Sequence, residues 1–279
     1  MAKLFLIIGS ILIVAGGAIF CIIMAKNKWD FRKLDTRTYQ TTNHTISENF
    51  ANISIQTTTA DILFATTDED NAKIVCYENQ KAYHNVSVEN DTLVIQEVNE
   101  QKWYDHIGIH FGSPKITIYL PKSVYANLSI NLTTGDVVIK DNLTFQDVSI
   151  SGSTGDIFVD NLKAGNIDID FTTGDCILNN INCANLKSNG TTGDAVLKNV
   201  IVTGDLNVTR TTGDVELERC DAATIYIKVT TGDITGSLLS EKTFITQNTT
   251  GDIDVPNSGA GGKCQLTATT GDIEIIIVH

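Results

Sequence analysis

The sequence predicts an all-β protein in which about eight repeats of 19–20 residues stack into a single β-solenoid or β-roll. The first observation is the motif Thr-Thr-Gly-Asp (TTGD), with one Ser-Thr-Gly-Asp variant, whose glycines are separated by 20, 19, 19, 20, 19, 19 and 20 residues. The second is the alternation of apolar and polar residues on both sides of each glycine, which is typical of two half-buried strands per repeat. A unit this short cannot bury its apolar face alone, so neighbouring repeats must stack.

An uncharged run near the N-terminus predicts one transmembrane helix before the β domain. Residues 4–25 carry no charge, and this length suffices to cross a bilayer. A cleaved signal peptide is the alternative, because small residues at 15–18 could serve a peptidase; the apolar run continues to Met24, which favours an uncleaved anchor. We therefore divide the chain into a short N-terminal tail (1–3), a transmembrane helix (4–25), a juxtamembrane linker (26–48), an N-terminal β cap (49–122) and the TTGD solenoid (123–279).

The predicted cap begins with a degenerate copy of the repeat. Residues 53–64 have the strand–turn–strand pattern of the later repeats, with Ala60 in the position of the glycine. Further strand patterns follow at 72–77, 86–88, 93–98 and 115–120. Because the terminal unit of a solenoid must differ from its repeats, we expect these strands to cap it.

Each TTGD motif is expected to form the tight turn between its two strands. Glycine adopts positive φ without steric cost, and aspartate accepts hydrogen bonds from nearby backbone N–H groups. Stacked carboxylates about 4.8 Å apart repel by roughly 0.9 kcal/mol even in water, so backbone donors or cations must offset the charge. A calcium-binding column is the alternative, although calcium-binding nonapeptide repeats are shorter and richer in glycine. This structural turn ladder comprises Gly135, Asp136, Gly155, Asp156, Gly174, Asp175, Gly193, Asp194, Gly213, Asp214, Gly232, Asp233, Gly251, Asp252, Gly271 and Asp272.

Two features of the repeats favour an interaction role over catalysis. Three residues after the glycine, the outward-facing position is apolar in the first four coils and polar in the last four. Such a stripe must be covered, either by the segment 51–120 packing over it or by a partner protein. The last strand, 275–279, is expected to be an open edge that invites self-association. The predicted interaction stripe consists of Val138, Phe158, Ile177 and Val196.

The sequence contains no motif that indicates a catalytic nucleophile, a nucleotide or a dinucleotide cofactor. Only His106 and His110 are close among the histidines, and on a strand they would lie about 13 Å apart, which argues against a metal site. Asp168 and Asp170 share one strand face and could be the carboxylate pair of a β-helix enzyme acting on carbohydrate, although a solvated strand face explains them more simply. We therefore expect no catalytic, cofactor-binding or metal-binding residues.

Charge and cysteine usage limit the classes of partner. The whole chain has 20 Lys and Arg and 33 Asp and Glu, of which residues 1–37 hold six and two, so residues 38–279 carry a net charge of −17. An acidic domain is a poor partner for nucleic acid or anionic lipid. The six cysteines show no C-x-x-C spacing, and an odd number lies outside the apolar span, so we expect buried thiols rather than a disulfide framework.

Four segments occur in a characteristic order along the chain. Asn52-Ile-Ser-Ile-Gln-Thr with Ala60-Asp-Ile-Leu is followed by Thr92-Leu-Val-Ile, by Lys115-Ile-Thr-Ile-Tyr-Leu-Pro-Lys and by the serial TTGD units. In this order, residues 29–279 resemble the DUF4097 family. The resemblance implies a β-strand-repeat fold in a membrane-anchored bacterial protein of the cell envelope, and its members are labelled putative adhesins. It implies no catalytic residues.

The charges around the apolar run leave two orientations open. Five basic residues follow it between Lys26 and Arg37, and the positive-inside rule would place the β domain in the cytoplasm. A Sec-type signal anchor, with the family resemblance, favours the extracytoplasmic side. We expect a single-pass membrane protein that acts as a binding or scaffolding module for an unknown protein or cell-envelope partner. A carbohydrate-active enzyme and a cytoplasmic regulatory domain that binds a membrane stress-response partner are the alternatives.

Overall fold

The computed structural model describes residues 2–31, 38–106, 112–257 and 259–278. Two compact units are present: Met1–Tyr39 with Glu100–Gly112, and Gln40–Asn99 with Ser113–His279.

The first unit contains the helix that the sequence predicts. Helix α1 (Ala2–Lys26) includes the stretch Phe5–Lys26, which has a mean hydropathy of 2.8 and is exposed. It is long and apolar enough to cross a membrane, as an anchor or as a signal sequence. The unit also holds a short 3-10 helix (Trp103–His106), in which the indole of Trp103 is 77% exposed.

The second unit consists almost entirely of β-strands. Alternation of apolar and polar residues along each strand gives alternating buried and exposed side chains, as a half-buried strand requires. The strands are β1 (Tyr39–Ile46), β2 (Asn52–Thr59), β3 (Asp61–Thr67), β4 (Ala72–Asn79), β5 (Ala82–Glu89), β6 (Thr92–Asn99), β7 (Lys115–Pro121), β8 (Val124–Thr134), β9 (Val137–Ile139), β10 (Leu143–Thr154), β11 (Ile157–Asp160), β12 (Leu162–Thr173), β13 (Cys176–Asn179), β14 (Asn182–Thr192), β15 (Ala195–Lys198), β16 (Ile201–Thr212), β17 (Val215–Thr231), β18 (Ile234–Leu238), β19 (Lys242–Thr250), β20 (Ile253–Asp254), β21 (Gly262–Thr270) and β22 (Ile273–Ile277).

The strands form two ladders that wind around one apolar core, which confirms the predicted solenoid. In the repeats, each long strand pairs in parallel with the long strand of the next coil, and each short strand pairs with the next short strand. Residues one repeat apart face each other, such as Val148 and Ile167. The predicted inward positions seven residues before the glycine are buried in seven of the eight coils: Leu128, Val148, Ile167, Leu186, Leu206, Ile225 and Cys264.

Asparagine residues with positive φ form the turn that follows the short strand in three coils. Asn161, Asn180 and Asn199 occupy equivalent positions and adopt φ of 58°, 54° and 52°. Asparagine tolerates this left-handed conformation better than most residues. The side chains also stack, because Asn199 Nδ2 donates to Asn180 Oδ1 at 3.2 Å. These three coils therefore have a glycine corner and an asparagine corner, and Asp141 and Arg219 take the asparagine position in two others with φ of 81° and 54°.

The N-terminal strands extend both ladders. Strands β2 and β3 stack on β8 and β9 with Ile53 opposite Leu128 and Phe64 opposite Ile139, as a degenerate first repeat should. Strand β7 pairs in parallel with β3, and β4 and β5 add antiparallel neighbours. Strand β1 pairs with β4 and lies inside the residues 26–48 predicted to be a linker, so that prediction is wrong for 39–46. The segment YQTTNHTI lacks the apolar alternation that would have indicated a strand.

The last two coils stack out of sequence order. Strand β21 lies between β17 and β19, and β22 lies between β18 and β20. The outermost strands at this end are β19 and β20, and strand β22 keeps an open side where β20 ends, as expected for the C-terminal strand. Ile273 and Glu274 of β22 pair with both β18 and β20, whereas Ile275–Ile277 pair with β18 alone. Ile253, predicted to face the core, is 44% exposed because it lies on the outermost strand.

Candidate functional site

The glycine corners have no room for a side chain. The glycines of the turn ladder have φ between +122° and +143°. A Cβ atom on Gly174 would lie 1.9 Å from the carbonyl oxygen of Gly155, and a Cβ on Gly193 would lie 2.2 Å from that of Gly174. In the first coil Ala60 replaces the glycine and has no positive φ. A Cβ atom on Gly135 would likewise lie too close to the carbonyl oxygen of Ala60, at 2.3 Å.

The aspartates of the ladder join one coil to the next. The backbone N–H of Asp156 donates to Asp136 Oδ1 at 2.9 Å, and that of Asp175 donates to Asp156 Oδ1 at 2.9 Å. The same bond recurs from Asp61 of the first coil to Asp252 of the outermost coil. Each carboxylate except that of Asp252 on the outermost coil thus accepts a bond that a neutral turn residue could not accept as strongly. The ladder has a structural role, and within the described residues it contains no group of three carboxylates close enough to hold a cation.

The predicted stripe lies on the outer face of the short-strand ladder. Phe158 is flanked by Val138 on one side and Ile177 on the other, and all four predicted residues are partly exposed. Within the second unit, strand β3 of the segment that was expected to cover the stripe extends this face instead of packing over it. Leu63 on β3 lies opposite Val138 and is partly exposed. We call the row of Leu63, Val138, Phe158, Ile177 and Val196 the apolar stripe.

Charged side chains border the apolar stripe. Beyond Val196 the next residue in the row is Glu216. The aspartates of the ladder lie two residues before each stripe residue of the repeats, and Lys140 lies two residues after Val138. Its Nζ is 5.5 Å from the ring centroid of Phe158, a cation–π distance. The apolar stripe is therefore one residue wide, about 19 Å long over five stacked strands, and acidic along one side.

The candidate carboxylate pair shows no catalytic arrangement. Asp168 and Asp170 are exposed on one face of β12, as expected. Asp168 Oδ2 is 3.4 Å from Lys187 Nζ on the adjacent strand, and both side chains are about half exposed. This is the ordinary ion pairing of a solvated strand face. For the histidine pair, His110 lies outside the described residues, as does the side chain of His106.

A buried polar cluster, which sequence reasoning missed, lies in the N-terminal cap. Cys76, Glu78 and His84 are 0%, 1% and 4% exposed, and their ligand-type atoms all lie within 4.8 Å of one another. Glu78 Oε2 accepts from the His84 backbone N–H at 2.8 Å and lies 2.9 Å from His84 Nδ1. Burial, and secondarily the charge of Glu78, raise the pKa of the Cys76 thiol to about 12. We call these three residues the Cys–Glu–His cluster.

Two further polar groups surround this cluster. Thr42 Oγ1 donates to Glu78 Oε1 at 2.7 Å. Thr57 Oγ1 lies 2.9 Å from His84 Nε2 and donates to Glu97 Oε2 at 3.1 Å. The strand pattern could have indicated the cluster, because Ala72, Ile74, Cys76 and Glu78 alternate toward the core along β4. A carboxylate in that row requires buried partners.

A second buried polar group explains an exception in the core rows. Ser188 occupies a position that is apolar in most repeats and is fully buried. The guanidinium of Arg210, itself 2% exposed, donates to Ser188 Oγ at 2.9 Å and to its carbonyl oxygen at 3.1 Å. The guanidinium occupies space left by Gly190, whose missing Cβ would lie 3.1 Å from the Arg210 side chain. The group is enclosed within the solenoid and is structural.

Comparisons with known proteins show what the chain resembles. The family described as Toastrack DUF4097 matches residues 50–245 and 174–279. A putative adhesin from Parabacteroides merdae ATCC 43184 is 16% identical in a match that covers 87% of this chain and 98% of that chain, with a TM-score of 0.51. A putative lipid binding protein from Parabacteroides distasonis ATCC 8503 is 15% identical over 87% and 98%, with a TM-score of 0.50. At these identities the likeness shows the fold alone. No curated protein matches this chain.

Proposed function

The chain belongs to the Toastrack DUF4097 family, and from that premise we propose that it is a non-catalytic binding or scaffolding protein of the cell envelope. Helix α1 anchors it in the membrane, and the β domain lies on the extracytoplasmic side. The observation that carries this proposal is the apolar stripe, a continuous row of partly exposed apolar side chains on a domain that is otherwise strongly acidic. A contiguous apolar row of this kind marks an interaction surface.

The partner that fits the apolar stripe is a protein segment with an apolar face and basic flanks. The stripe is about 19 Å long, which matches about 13 residues of α-helix at about 1.5 Å per residue. The aspartates alongside it, and the net charge of −17 over residues 38–279, favour a basic partner. We therefore propose an amphipathic segment of an envelope protein as the occupant, with its basic residues facing the aspartate ladder.

Other ligand classes have less support. Lipid binding is the description of one structural neighbour, but an acidic surface repels the anionic lipids that usually recruit proteins to membranes. A carbohydrate-hydrolysing role would need Asp168 and Asp170 as acid and base, yet Asp168 is paired with Lys187 on an exposed face. The stripe itself offers apolar contact and no reactive group.

The partner can be identified by photo-crosslinking in native cells. A photoreactive phenylalanine analogue in place of Phe158 puts the reactive group at the centre of the stripe with little change in shape. The matched control places the same analogue at Thr235, which occupies the equivalent outward position in a polar coil. We expect a crosslinked partner from position 158 and none from position 235.

Charge insertion then tests whether the stripe itself binds. We expect Phe158→Asp and Ile177→Asp to retain the β circular dichroism spectrum and the melting temperature while the crosslinked partner is lost. Thr235→Asp, the matched control, should change neither property. Loss of the fold in the stripe variants would show that these side chains are packing residues, and retention of the partner by folded stripe variants would contradict the proposed surface.

Protease treatment of intact cells tests the proposed side of the membrane. Exposed loops of the β domain should be cleaved in intact cells if it lies outside. Protection until the cells are lysed would place the domain in the cytoplasm and favour a regulatory domain with a membrane partner. If the mature protein begins at a residue between 15 and 25, the apolar helix is a cleaved signal sequence.

A further inference from the structure

We propose that Cys76, Glu78 and His84 form a binding site for a divalent transition-metal ion of the zinc type inside the N-terminal cap. A thiolate, an imidazole and a carboxylate are the donors that zinc takes in proteins. The three residues come from one hairpin, in which β4 supplies Cys76 and Glu78 and β5 returns His84 to the same side. The site is independent of the apolar stripe and of the proposed binding role.

The geometry allows the three donors to converge on one ion. Their ligand-type atoms already lie within 4.8 Å of one another. A tetrahedral zinc ion with bonds of about 2.0–2.3 Å places its donors roughly 3.3–3.8 Å apart, which is compatible with three donors that already lie within 4.8 Å of one another. The second oxygen of the same carboxylate, Glu78 Oε1, accepts a hydrogen bond from Thr42 at 2.7 Å.

Charge balance also favours an ion in this position. A dication bound to the Cys76 thiolate, the Glu78 carboxylate and a neutral His84 gives a site with no net charge, which is the least costly state to bury. Metal binding forms the metal–sulfur bond and releases the thiol proton to solvent. Nδ1 of His84 lies 2.9 Å from Glu78 Oε2, so this contact holds a proton that the ion also displaces.

The surrounding hydrogen bonds orient the histidine for ligation. The Thr57 hydroxyl donates to Glu97 Oε2, so its oxygen accepts from the His84 Nε2–H. The backbone N–H of Thr58 also donates to Glu97 and fixes that carboxylate. Metal-binding histidines commonly donate their second ring N–H to such a partner, which directs the other nitrogen at the ion. Here that other nitrogen is Nδ1, which faces Glu78.

The ion has a route from solvent. Thr57 and Glu97 line an open depression on the long-strand face, together with Gln56, Gln96 and Thr133. The Thr57 hydroxyl therefore separates this depression from the imidazole of His84. On the other side of the cluster, Thr42 lies on β1, a strand at the edge of its ladder. Small movements of either threonine would open the cluster to a metal ion.

Cobalt titration of the full chain tests this site. The protein is purified in detergent without a polyhistidine tag, treated with chelator, and titrated with Co²⁺ in a Cys21→Ser background that removes the exposed thiol. We expect one equivalent of Co²⁺ to bind with a near-ultraviolet thiolate-to-cobalt charge-transfer band. Cys76→Ser should abolish this band, and Thr57→Val should weaken binding by roughly 10–100-fold.

Matched controls separate ligation from folding. Cys264→Ser removes an equally buried thiol in the last repeat and should leave the band and the affinity unchanged. The absence of a charge-transfer band in the folded parent protein would overturn the proposal, whether or not the variants fold. Equal loss of the band in Cys76→Ser and Cys264→Ser would also overturn it, as would an undiminished band in folded His84→Gln and Cys76→Ser.

Discussion

The tight corner at Gly193 predicts that a single methyl group there strongly destabilises the solenoid. In Gly193→Ala the new residue must adopt a φ near +122°, a region that costs a non-glycine residue about 1–3 kcal/mol. Its Cβ would lie 2.2 Å from the carbonyl oxygen of Gly174, against an ordinary contact of 3.4 Å or more. The two coils must therefore separate by about 1 Å at this corner.

That separation also removes a bond between the coils. The N–H of Asp194 donates to Asp175 Oδ1 at 2.8 Å, and such a charge-assisted hydrogen bond contributes about 1.5–3 kcal/mol. Alanine gains about 0.4–1 kcal/mol because it restricts the unfolded chain more than glycine does. The free energy of unfolding should fall by about 2–5 kcal/mol, which corresponds to a decrease in melting temperature of roughly 4–20 °C for a domain of this size.

Thermal unfolding followed by circular dichroism near 218 nm measures this effect, with Gly190→Ala as the matched control. Gly190 lies three residues earlier in the same coil and has no positive φ, and its Cβ would lie 3.1 Å from the buried Arg210 side chain, a contact that a shift of a few tenths of an ångström relieves. We expect this control to stay within about 1 kcal/mol of the parent protein. The steric argument is wrong if Gly193→Ala melts within about 2 °C of the parent, or if both variants are destabilised equally.

Two further predictions concern the aspartate ladder and the buried thiols. Asp175→Ala removes the acceptor for the Asp194 N–H and should lower the free energy of unfolding by about 1.5 kcal/mol, the lower end of the range for this bond, because water can reach the exposed corner. Asp175→Asn keeps an acceptor oxygen and should lower the free energy of unfolding by less. Urea denaturation compares the two variants, and equal losses would show that charge alone matters. Four buried thiols should resist maleimide at pH 8 until the protein is unfolded: Cys76, Cys183, Cys220 and Cys264. Burial raises the pKa of each thiol and leaves a thiolate fraction of about 10⁻³–10⁻⁴. Mass spectrometry of the labelled protein checks this, and rapid labelling of any of these cysteines in the folded protein would contradict it.

The repeat could be predicted from the sequence because three independent signals agree in every coil. The glycine period, the apolar alternation and the turn residues each predict the same two-strand unit, and the parallel pairing follows from stacking identical units. The asparagine corner carried a weaker signal, with Asn161, Asn180 and Asn199 in equivalent positions of three coils. It was missed because asparagine in a polar segment is common, whereas a serial glycine is not.

The candidate sites were less predictable because they depend on contacts between distant segments. The stripe residues of the repeats could be predicted because each lies three positions after a TTGD glycine. Leu63 lies in the same row only because β3 pairs with β9. The Cys–Glu–His cluster depends on a hairpin that brings His84 back to Glu78, and on Thr57 from a separate strand. Strand β1 could not be predicted because its polar residues suit an edge that faces solvent.

The order of the last two coils has a physical explanation in their inward side chains. The seventh repeat places Thr246 and Asn248 at positions where the eighth repeat places Leu266 and Ala268. Buried polar groups without partners are costly, so the seventh repeat is stable only at the end of the stack, where both side chains stay partly exposed. Leu266 and Ala268 are buried between coils.

The corner geometry permits this exchange because every coil presents the same backbone surface to its neighbour. Asp272 donates its N–H to Asp233 Oδ1 at 2.7 Å, and Asp252 donates to Asp272 Oδ1 at 2.8 Å, so the ladder continues across the reversed order without a change in bonding. Because all coils stack through the same corners, the side chains that differ between coils determine where each coil stacks and what it can bind. The polar seventh repeat therefore caps one end, the Cys–Glu–His cluster is confined to the other, and the coils between them carry the apolar stripe that we propose as the surface for a partner.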